Sequence, residues 1–128
     1  MKVNDVSLAY VSYATAMLMK ELGFDYPVAS SYCNCNIDDC DHTNFSEGAL
    51  ANYNTHSGIV SAPTLALAQK WLLDKYSYHI TITSITQESW SRRITKAYQR
   101  LSDGNYAEDF YTYDEALEDA INFILKNI

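Results

Sequence analysis

Apolar positions along this chain recur with two distinct periods, and the change from one to the other marks its elements. Between Ser61 and Thr83, Leu65, Ala68, Leu72 and Tyr76 repeat every three or four residues, and Leu67 and Trp71 widen the stripe. That spacing predicts a helix with most of its circumference buried. Ser61 is the expected N-cap, with Pro63 tolerated in the first turn. From Tyr78 to Thr83 the period drops to two, so Ile80 and Ile82 face inward and His79, Thr81 and Thr83 face the other way, as in a strand. The C-terminal stretch returns to helical spacing. Thr112 and Glu115 form a capping box, and Leu117, Ala120, Ile121, Ile124 and Ile128 fall on one side. Its acids come early and Lys126 late, which suits the helix dipole.

The remaining segments are weaker but readable. Val6 to Val11 has strand-like content. Ser12 then caps a predicted helix to Leu22 with Ala14, Met17, Leu18 and Leu22 on one face, closed by Gly23 in the left-handed conformation and by Phe24 folding back. Pro27 stops the helix from resuming, and Val28 to Cys33 reads as a strand. Asn34 to Glu47 is polar and irregular, with Ala49 to Tyr53 a short strand after it. Trp90 to Leu101 fits both periods; the preceding strand and the Gln87-Glu88-Ser89 turn favour a hairpin. With no linker, repeat or low-complexity tract, residues 1–128 are expected to form a single α+β domain, a small antiparallel sheet packed against about three helices in the order αββ-αββ-α.

Composition narrows the function classes. The chain has 128 residues, 48% of them hydrophobic and 20% charged, and a formal charge of −7. It is long enough to bury roughly two thirds of its unfolded surface. The negative charge argues against nucleic-acid or anionic-membrane partners. The apolar run from Val6 to Met19 is too short and polar to span a bilayer. As a secretion signal it is weak, because Lys2 is followed by Asp5 ahead of the Ala14-Thr15-Ala16 motif. Eleven tyrosines against four phenylalanines suit half-buried positions, at the rim of a core or at an interface.

The residues of the Ala62–Ile82 block (APT…QKWL…HI.I), the lone Trp90, the helix end from Lys20 to Phe24 and the TYDEALE…I…LK.I ending resemble a family of short uncharacterised proteins encoded by phages and prophages of gut bacteria. The likeness touches most of the chain outside Asn34 to Tyr53. It implies a mobile-element origin and a bacterial host cytoplasm as the place of work, and it supports a strand after Trp90. The family has no assigned reaction, so it lends no catalytic residue.

Several motifs carry candidate chemistry. Cys33, Cys35, Cys40 and His42 place three thiols and an imidazole within ten residues, a donor set suited to Zn²⁺. Structural zinc sites, however, usually join two ligand pairs from separate elements, and the plainer reading is a polar loop with incidental thiols. An odd cysteine count in one segment is no disulfide framework and fits a reducing compartment. Asn34, Asn36 and Asp38 begin like a calcium loop but lack its glycine and final glutamate. His79-Ile80-Thr81 matches one H-x-T unit of two-histidine phosphoesterases, whose acid–base chemistry needs a second such unit, and neither His42 nor His56 supplies it. Arg92, Arg93, Lys96 and Arg100, beside Trp90 and Tyr98, are four of the nine basic residues. Arginines next to aromatic rings can grip a nucleotide. Residues 103–119 then contribute seven acids and no base, so internal ion pairing explains the cluster equally well.

The expectation from sequence is a non-enzymatic binding module with no cofactor; the alternative is a metal-binding protein through Cys33, Cys35, Cys40 and His42, or a phosphoesterase-like enzyme using His79. The module's partner is a host protein or a small anionic ligand held by Trp90, Arg92, Arg93, Lys96, Tyr98 and His79. Counter-defence is the natural role for such a protein, and a homo-oligomer is compatible with it.

Overall fold

The computed structural model describes residues 9–34, 43–96 and 105–128. Its elements run α1 (Tyr13–Glu21), β1 (Val28–Asn34), β2 (Thr43–Ala51), β3 (Ile59–Ser61), α2 (Leu65–Tyr76), β4 (Tyr78–Thr86), β5 (Ser89–Lys96), β6 (Asn105–Phe110) and α3 (Tyr113–Lys126). This is the predicted α+β class with antiparallel strands and three helices. The strands divide between two three-stranded sheets, ordered β2-β1-β3 and β4-β5-β6, because three strands rather than two follow each of the first two helices.

Local chemistry sets the helix ends. The Ser12 hydroxyl accepts from the Thr15 amide at 3.2 Å. At the far end Gly23, with φ of +87°, lets the Phe24 amide donate to the Met19 carbonyl at 3.0 Å, the closure expected from sequence. The buried face of α1 is not the one predicted. Thr15, Ala16 and Met19 are fully buried, whereas Ala14 is exposed and Met17, Leu18 and Leu22 are half-buried. Apolarity misleads here because Thr15 is satisfied from afar: its hydroxyl donates to Glu118 at 2.7 Å and accepts from the Asn122 side-chain amide at 3.1 Å. Of the strand expected over Val6 to Val11, the described part forms one bridge, Tyr10 to Thr64.

The cap of α2 is Thr64 rather than Ser61. The Thr64 hydroxyl accepts from the Leu67 amide at 3.2 Å. Ser61 lies in β3 opposite Ser31, and its hydroxyl accepts from the Tyr53 amide at 3.0 Å. Likewise β2 extends over Thr43–Ala51, so residues expected to be irregular up to Glu47 pair with β1, and the chain beyond makes a tight 3₁₀ turn at Tyr53–Thr55. Every residue from Phe45 to Leu50 is exposed, so no alternation of apolar side chains could announce this strand.

The hairpin after Thr83 forms as expected, with Ile80 opposite Ile94 and both buried; residues 97–101 of that reading lie outside the described residues. In α3 the Thr112 hydroxyl accepts from the Glu115 amide at 3.0 Å. Glu115 reaches back to the Tyr111 amide, also at 3.0 Å, one residue further than an ideal capping box. Leu117, Ala120, Ile121 and Ile124 are buried as predicted, joined by Ala116 and Leu125, while Ile128 lies past the helix end and is 47% exposed. Leu117, Ala120, Ile121, Ile124 and Leu125 join Met19, Phe24, Trp71, Leu72, Ile80 and Ile94 in one apolar cluster.

Candidate functional site

Strand alternation separates the residues expected to hold an anion. Arg92 points to the covered face of its sheet and is only 5% exposed. Its Nε donates to Asp119 Oδ2 at 3.0 Å, and Nη1 donates to the Asn105 carbonyl at 3.3 Å and to the Asn105 side-chain oxygen. The guanidinium also lies 5.1 Å from the centre of the Phe123 ring. Arg92 is therefore engaged inside the protein, by a carboxylate from the acidic stretch that follows it. Arg93 faces the opposite way, exposed, 5.0 Å from the Tyr106 ring. His79 is exposed on that same outer face, opposite Thr95. Trp90 is half-buried and packs edge-on against Tyr113 at 5.7 Å, and Lys96 lies at the strand end, 5.3 Å from the Tyr78 ring. The expected single grip of Trp90, Arg92, Arg93 and Lys96 is thus split between two faces; Tyr98 is outside the described residues.

Cys33 is exposed on β1, opposite Ile59; Cys35, Cys40 and His42 lie outside the described residues. Among the described residues no three His, Cys, Asp or Glu side chains are gathered to hold a metal.

What the fold does assemble is a groove of about 700 Å³ between the segment leading into α1 and the first half of α3. Ala9, Tyr10, Leu65 and Phe110 supply apolar surface. Asp114, Glu115, Glu118 and Asp119 supply a wall of carboxylates, since positions i, i+1, i+4 and i+5 share one side of a helix. Among the described residues no lysine or arginine lines it. A bulge shapes one end: Trp90 faces Phe110 but Arg92 faces Ala107, and the extra residue in β6 includes Asp109, held at φ of 76°.

Glu118 is the fixed point of the wall. Its Oε1 accepts from the Ser12 amide at 3.2 Å and from the Thr15 hydroxyl at 2.7 Å, while Oε2 is buried with no partner among the described residues. Nearby, the Tyr32 hydroxyl donates to the Val11 carbonyl at 2.6 Å; burial, and then the Glu118 charge, push its pKa above the ordinary 10.0. A smaller cavity of about 290 Å³ beside Gly23 and Trp71 is occupied with holding the fold. There the Tyr26 hydroxyl donates to Asp74 at 3.0 Å and Lys75 donates to the Leu22 carbonyl at 2.9 Å. Hydrogen bonds from Lys70 and Tyr26 hold the Asp74 carboxyl below its usual range.

In the sequence the acids of α3 read as dipole partners and not as a wall. Their shared helical side was visible in the spacing; the apolar surface opposite them, from Ala9, Tyr10 and Leu65, was not. No family model, curated protein or solved structure matches the chain. No helix among the described residues is long and apolar enough to cross a membrane.

Proposed function

We propose that the protein is a non-enzymatic binding module of phage or mobile-element origin, which works in the bacterial cytoplasm by occupying a basic segment of a host protein, a role suited to counter-defence. The observation that supports this reading is the groove of about 700 Å³, with apolar surface from Tyr10, Leu65 and Phe110 beside the carboxylates of Asp114, Glu115, Glu118 and Asp119. Lysine and arginine side chains combine an aliphatic stem with a cationic head, so a surface of this mixed kind suits them along their whole length. The volume falls in the range of ordinary ligand sites, and the net charge of −7 steers cations toward the protein. The origin and the cytoplasmic setting rest on the family resemblance of the sequence.

Fluorescence anisotropy with a short labelled peptide bearing arginine and lysine tests the reading. The full chain is expected to bind it saturably, more weakly as salt rises, with Asp114→Lys lowering affinity about tenfold. Asp114 is exposed, so the substitution leaves the packing intact. A peptide that fails to bind, or that binds the variant equally well, contradicts it.

A further inference from the structure

The outer face of the β4-β5-β6 sheet offers a second surface, which carries the Arg93 guanidinium as well as the Glu108 carboxylate. Among the described residues the side carrying Ile80, Arg92 and Ile94 is buried, while Thr81, Arg93 and Tyr106 on the other side are exposed. On the other side cross-strand pairing sets Thr81, Arg93 and Tyr106 in one row across all three strands, with His79 and Thr95 as the neighbouring pair. Side chains in such a row stand about 5 Å apart, close enough to meet one small ligand together.

Arg93, like Lys96 on the same strand, is held over a ring, and it differs from four other cations of the described residues in its hydrogen bonding. Lys20 donates to the His56 and Ile59 carbonyls, Lys70 pairs with Asp74, Lys75 donates to Leu22, and Arg92 is held by Asp119 and Asn105. The guanidinium of Arg93 donates to no acceptor among the described residues. It is held instead over the Tyr106 ring at 5.0 Å, and the Tyr106 hydroxyl donates to Glu108 at 2.8 Å, which steadies the ring beneath it. A guanidinium with one side on a ring keeps its other side for stacking a planar group and its edge for paired hydrogen bonds to phosphate.

We propose that this face binds a nucleoside monophosphate. Arg93 stacks the base and its edge takes the phosphate, while the Thr81 and Thr95 hydroxyls and His79 supply hydrogen bonds around it. The occupant follows from charge and shape: a positive, planar donor on an open face bordered by hydroxyl groups complements a flat, singly phosphorylated molecule. A long anionic polymer would meet the repulsion of the whole chain at −7. The inference does not depend on the groove, whose ligand has the opposite charge.

Two-dimensional amide NMR of the full chain, titrated with AMP and in parallel with adenosine and with inorganic phosphate, tests it. AMP is expected to shift the Thr81, Arg93, Thr95 and Tyr106 amides saturably, more tightly than either fragment. Arg93→Gln, at an exposed position, is expected to weaken binding about tenfold with an otherwise unchanged spectrum, and Tyr106→Leu to weaken it as well by freeing the guanidinium. Absence of a saturable AMP shift overturns the proposal, as do shifts confined elsewhere or Arg93→Gln binding as well as the parent. Phosphate binding as tightly as AMP overturns it too, because the face would then be a bare anion site.

Discussion

Arg92 and Arg93 are chemically identical neighbours, and one step along a strand gives them unrelated roles. The first is buried against Asp119; the second lies open on the outer face. The sequence shows that such a pair must split, but which member turns inward depends on register, and register is set by where Ile80 and Ile94 meet. The buried pair also makes a stability prediction. Asp119→Ala leaves a guanidinium 6% exposed with its carboxylate gone, and should cost about 2 kcal/mol, below the usual loss for a broken buried pair because Asp119 itself is 45% exposed. Arg92→Met removes the buried charge and retains the stem, and should cost less than about 1 kcal/mol. Urea denaturation of both variants checks this; equal losses would mean that the charge, once unpaired, carries no particular penalty there.

At the scale of elements, helix ends were more legible than helix faces. All three helices begin with Ser or Thr, at Ser12, Thr64 and Thr112, and each has a fully buried alanine four residues on, at Ala16, Ala68 and Ala116. A side chain of one carbon there lets the first turn approach its neighbours closely. The misplaced cap of α2 has a simple cause: Ser61 and Thr64 both have the right chemistry, and only the pairing of Ser61 with Ser31 in β3 decides between them. Thr64→Ala should therefore lower stability by about 1 kcal/mol in thermal or urea unfolding. No loss at all would show that Thr64 is not the cap that matters. Strand β2 was illegible for a different reason. An edge strand with both faces toward solvent has no period to read, and among the described strands it pairs with β1 alone.

For the whole molecule, the sequence pattern conveys the class of the fold and its charge but not the surfaces that result. The stripes of α2 and α3 are consumed in the core, with Leu72, Ile121 and Ile124 all buried, so recognition falls to whatever the helices leave uncovered. One such place is the groove, which needs Ala9 and Tyr10 from one end of the chain, Leu65 from its middle and Asp114 to Asn122 from the other end. No local window contains it. The other is the open face around Arg93, where a guanidinium rests on the Tyr106 ring. Both follow from the same arrangement, in which two sheets share three helices and one apolar core.

The groove as the seat of recognition is the claim on which the functional account rests. Its most direct test is where a cationic probe lands. Amide NMR of the full chain titrated with an unlabelled arginine- and lysine-bearing peptide should move Ser12, Thr112, Asp114, Glu115 and Asn122 together, and added salt should reverse the shifts. Saturable shifts that leave those five amides still, or no shifts at any peptide concentration, would contradict the account.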